Sequence, residues 1–115
     1  MENLSIAITL PATIEWSEYQ KELDAVKDGK QVLNFKVPFL PKKEKRDLIK
    51  KCYLVWRGYI IGWQRICWFI ENTEFNCTTT GKQWNGNFIQ RTGEFHKLDT
   101  PIEMSGFRGW KYIYM

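Results

Sequence analysis

From residue 52 to its last residues the chain is punctuated like a β protein, and this constrains the fold more than any other feature. Cys52 to Trp56 is an apolar run, Arg57-Gly58 a two-residue turn signal, and residues 59–70 a long strand-like stretch interrupted by Gly62. Two such runs joined by two turn residues predict a hairpin. A glycine inside a strand predicts a bulge or a tight bend. Further strands are expected at 75–80, 88–91, 93–98 and 110–114. Gly81-Lys82 marks a turn, Trp84-Asn85-Gly86-Asn87 carries the Asn-Gly hairpin signal, and residues 101–105 read as a connector.

The first half is mixed. Residues 5–10 form a short apolar strand stopped by Pro11. Trp16, Tyr19, Leu23 and Val26 recur at helical spacing, so a helix over 17–27 packs one face inward. Ser17 and Gln20 match a capping box, and Asp28-Gly29 is the stop. Residues 31–37 alternate, with Leu33, Phe35 and Val37 on one face of a half-buried strand. Residues 42–51 are basic, diluted by Glu44 and Asp47, and form a short helix or a loop. The expected fold is α+β and mainly β. It is a single domain over 1–115, a small β-barrel with one or two flanking helices, because closure removes sheet edges.

Six Trp, five Tyr and seven Phe among 115 residues exceed what a small core absorbs, so several rings are expected at the surface. The formal charge of +4 suits an anionic partner such as nucleic acid. The three cysteines include no C-x-x-C pair and His96 is the only histidine, which speaks against a metal site. Cys52 and Cys67 lie in apolar runs and read as buried free thiols. Glu2 and Asn3 precede an apolar stretch too short for a signal peptide, and no run suits a membrane span, so a cytoplasmic setting is expected.

Catalytic chemistry finds little footing. His96 is the only imidazole available to activate Cys77, and a Lys-Thr-carboxylate set drawn from Lys30 or Lys36, Thr79, and Glu94 or Glu103 is not selected by any spacing. No catalytic residue, cofactor or metal ligand is assigned. Aromatic and basic groups do interleave: Trp56-Arg57, Trp63 with Arg65, Trp84 near two asparagines, Gln90-Arg91, and Arg108 with Trp110-Lys111. Such groups stack bases and contact phosphates. The threonines around Thr79 add hydroxyls. The nucleic-acid-binding residues expected are therefore Trp56, Trp63, Thr79, Trp84, Arg91, Arg108, Trp110 and Lys111.

The order of several segments resembles ASCH domains of the PUA-like superfamily. These are Asp28-Gly29-Lys30 leading into Leu33-Asn34-Phe35-Lys36, then Lys51 to Trp56 with Gly58 and Ile61-Gly62-Trp63. Phe95 to Leu98, Pro101 to Met104, and Gly106-Phe107-Arg108-Gly109-Trp110 complete the series. The resemblance implies a compact barrel with a cleft beside its helices, binding RNA or DNA and holding a flipped or modified base there. It also implies an alternative, a small hydrolase of a modified nucleoside. A third reading, from the aromatic surplus, is a phage or mobile-element protein that binds a host protein.

Overall fold

A computed structural model describes residues 4–29, 33–76 and 83–114, with side chains over 4–29, 33–71 and 86–114. Its elements are β1 (Leu4–Thr9), α1 (Trp16–Lys27), β2 (Leu33–Val37), α2 (Lys43–Arg46), β3 (Lys51–Trp56), β4 (Tyr59–Asn76), β5 (Gln83–Glu103) and β6 (Trp110–Tyr114). The six strands form one sheet in the order β2-β5-β4-β3-β1-β6. All neighbours are antiparallel except β1 and β3, whose parallel pairing needs the long crossover that carries α1, β2 and α2. The fold is thus α+β and mainly β.

Helix α1 buries Tyr19, Leu23 and Val26, the stripe its spacing predicts. Leu23 and Val26 each contribute about 1.5–3 kcal/mol when removed from water. The capping box does not form: Glu15 is the N-cap, no side chain caps the helix, and Trp16 already belongs to it. The Trp16 ring then packs on Trp56 and Phe95. Below α1 lie Ile6, Ile8, Cys52, Leu54, Ile66 and Ile89. On the sheet's other face Ala7, Tyr53, Val55 and Ile60 are covered by Met104 and Phe107, from the connector between β5 and β6.

Strands β4 and β5 are far longer than expected, at 18 and 21 residues. Asn85-Gly86 is not a hairpin turn. It stays inside β5, with Thr73 opposite Gly86 and Glu74 opposite Asn85. The segments read as separate strands are one bent ribbon, relieved by register shifts at four places between β4 and β5. Bulges of this kind raise twist without ending the pairing. The expected turn at Gly81-Lys82 lies outside the described residues.

The sheet is not closed by a ladder: β2 and β6 are its edges. Pro38 follows β2 directly and has no N–H to extend the pairing. The edges nevertheless meet. Trp110 Nε1 donates to the Phe39 carbonyl at 2.7 Å, and the two rings sit edge to face at 5.5 Å. The segment just after β2 is thereby tied to the start of β6, while the two strands themselves stay unpaired with each other.

Candidate nucleic-acid interface

The Arg57-Gly58 turn, with both residues at positive φ, sets Trp56 opposite Tyr59 and Val55 opposite Ile60. Beyond these pairs the register shifts by one residue, and Leu54 faces Gly62. Ile61 is the extra residue. The shift sets Tyr53 opposite Trp63 and Lys51 opposite Arg65. All four share the face away from α1, while Gln64 turns inward and is fully buried. Without the bulge, Trp63 and Arg65 would point to the helix side.

Gly62 makes room for this arrangement. A Cβ there would collide with the Phe95 ring and stand 2.5 Å from the His96 carbonyl oxygen. On β5, His96 lies opposite Trp63, and the two rings stack at 4.0 Å with 15° between planes. Lys51 Nζ lies 4.5 Å from the centre of the Trp63 ring. Trp63 thus has both an imidazole and an ammonium against its ring system. Lys51 and Arg65 are like charges directly across a strand pair, an arrangement that costs stability unless compensated. Among the described residues neither is paired with a carboxylate. Along the same face Tyr53 and Ala7, buried under Met104 and Phe107, lead to Lys111, whose Nζ sits 4.7 Å over the Phe107 ring. Five adjacent strands make this row roughly 19 Å wide. Arg108 is exposed on the connector beside it.

The other expected site residues fall elsewhere. Trp56 lies on the α1 face, its ring near Trp16 at 5.4 Å and the Arg57 guanidinium at 4.4 Å. Trp56 and Trp63 therefore stand on opposite faces of the sheet and do not wall one cleft. Arg91 was expected to contact nucleic acid, but it is 3% exposed. Its Nη1 donates to the Tyr19 hydroxyl at 3.1 Å and to Gln64 Oε1 at 3.2 Å. It is a core cation that no phosphate reaches. Burial pushes the neighbouring Cys52 thiol up to about 12, with the Arg91 charge opposing the shift. Burial also raises the Tyr19 hydroxyl. Trp110 is the clamp between the sheet edges. Thr79 lies outside the described residues, and of Trp84 only the backbone is described, opposite Phe75 on β5.

Cys67 is exposed rather than buried: it follows the inward-facing Ile66, and strand alternation turns it to the other face. In the basic stretch, Arg46 bonds Glu71 at 3.4 Å and holds that carboxyl below its ordinary range. Of the proposed hydrolytic set, Lys30 and Thr79 lie outside the described residues, and Glu94 pairs with Lys27 at 3.7 Å. The sequence reading missed Lys51 and gave His96 no binding role; only the bulge brings them to Trp63 and Arg65.

No protein-family model, curated protein or solved structure matches this chain. Among the described residues no helix is long and apolar enough to cross a membrane.

Proposed function

We propose that this protein is a PUA-like module that binds single-stranded nucleic acid across the sheet face of Lys51, Arg65, Trp63 and His96. The observation that carries this reading is the unpaired Lys51–Arg65 couple beside the Trp63–His96 stack. A phosphate between the two cations replaces their repulsion with two charge-assisted contacts. His96 already stacks on Trp63 and is itself exposed, so an unstacked base can land on His96 and extend the stack. Beyond the buried Tyr53 and Ala7, Lys111 and the exposed Arg108 add positive charge to the far part of this face. The formal charge of +4 favours approach of a polyanion. Contacts of this type position the strand and stack any base, so little sequence preference is expected.

Fluorescence anisotropy with short single-stranded RNA and DNA over a salt series tests the reading. Affinity should fall linearly on a log–log plot, with a slope of about −0.7 per phosphate contacted. Lys51→Gln and Arg65→Gln should each remove about one contact from that slope. His96→Ala should cost ~1–3 kcal/mol of binding. Binding no tighter than millimolar at low salt, or equal in the charge variants, would sink it.

A further inference from the structure

We infer that a second site, on the α1 side of the sheet at the β3–β4 turn, binds a small planar aromatic anion. A pocket of about 420 Å³ opens there, lined by Trp56, Arg57, Tyr59, Ile61 and Pro101. That volume lies within the ~300–1,000 Å³ range of small-molecule sites. Its walls are mainly apolar, and the Arg57 guanidinium is their one charged group. The Trp56 indole N–H is buried with no partner. The Arg57 Nε donates to the Ala12 carbonyl at 3.1 Å, which fixes the guanidinium over the Trp56 ring. Among the described residues its terminal amino groups meet no carboxylate.

The backbone prepares the site. Arg57 holds φ at 49°, so the chain turns back on itself within two residues and Tyr59 returns directly beside Trp56. Tyr59 keeps 48% of its surface exposed. The bulged residue Ile61 and Pro101 supply the rest of the wall. A flat ring fits against Tyr59, Ile61 and Pro101, and its anionic substituent meets the free donors of Arg57, whose planar fork suits carboxylate and phosphate alike. Glu103 faces Tyr59 across the strands but does not line the pocket. The site lies on the opposite side of the sheet from Lys51 and Arg65 and does not depend on the nucleic-acid reading.

Saturation-transfer NMR and titration with three probes test it: indole-3-acetate, its neutral primary amide, and adenosine 5′-monophosphate. Indole-3-acetate should bind at least about tenfold more tightly than the amide, and Arg57→Gln should erase that difference while leaving amide binding in place. Arg57→Lys should retain part of the preference, and Glu103→Gln should strengthen it. Competition by adenosine 5′-monophosphate assigns the site to nucleotides; binding of the acid alone assigns it to aromatic carboxylates. Lys51→Gln/Arg65→Gln should leave acid binding unchanged, which separates this site from the sheet-face interface. Equal affinity for acid and amide, an Arg57→Gln variant indistinguishable from wild type, or no saturation transfer from any probe overturns the proposal.

Discussion

Replacing Gly62 by alanine tests the packing that assembles the sheet face. The new Cβ would stand 2.5 Å from the His96 carbonyl oxygen and 2.7 Å from Phe95 Cε1, where ordinary contacts begin near 3.4 Å. One obstacle is backbone, so no rotamer change relieves it; β4 and β5 must part by about 1 Å. Overpacking of this kind costs about 1–3 kcal/mol, and a backbone obstacle places Gly62→Ala at the upper end. For a domain of this size about 3 kcal/mol lowers Tm by roughly 10 °C. The Phe95 ring also packs on Trp16 at 5.8 Å, so the strain reaches α1. Chemical denaturation of Gly62→Ala, Phe95→Ala and the double variant gives a cycle. The double variant should be less unstable than the sum of the singles, because removing the ring clears one of two obstacles. His96 would move off Trp63, so oligonucleotide affinity should fall in the folded variant as well. A Gly62→Ala protein within about 0.5 kcal/mol of wild type would refute the reasoning.

The buried polar cluster should behave asymmetrically. Arg91→Met alone leaves Tyr19 and Gln64 without their partner and should cost about 1–3 kcal/mol by urea unfolding. The triple change Tyr19→Phe/Gln64→Leu/Arg91→Met should recover that loss or exceed wild type, since a core cation with no carboxylate partner contributes little net stability. Alkaline pH should unfold the protein gradually. The folded Cys52 thiol ionises near 12 against an ordinary value of 9.0. Its contribution is therefore complete below about pH 8.5 and is lost as pH rises toward 12. Burial shifts the Tyr19 and Tyr53 hydroxyls the same way. Urea midpoints measured upward from about pH 8 should fall, and less steeply in Cys52→Ala; an equal slope in that variant would remove Cys52 from the account.

Local pattern carried much of the fold. The stripe of Tyr19, Leu23 and Val26 marks α1, the alternation of Leu33, Phe35 and Val37 marks β2, and Arg57-Gly58 marks the β3–β4 turn. What escaped were features decided at a distance. Asn85-Gly86 has a turn's chemistry, yet Thr73 and Glu74 pair across it and hold it extended. Arg91 reads as a surface cation because Tyr19, 72 positions away, is what draws it inward. The candidate site turns on a single residue. Counting outward from the Arg57-Gly58 turn puts Lys51 opposite Gln64. The bulge at Ile61 puts Arg65 there instead and inverts the sidedness of all that follows on β4. No local preference of Ile61 announces that role. The bulge is accompanied by Phe95 crossing Gly62, a contact between segments more than thirty residues apart in sequence.

The meeting of β2 and β6 through Phe39 and Trp110 also bears on how copies of this protein treat one another. A strand edge with unpaired amides is a template for a neighbouring chain. Here the segment just after β2 reaches the start of β6, and an indole–carbonyl bond with two crossed rings holds them together. The outer edge of β4 beyond Arg65 runs beside Arg46 and Lys50, cations that discourage a stranger's strand. Loosening Trp110 should free the segment after β2 from β6 and leave both sheet edges more open to the strand of a second copy.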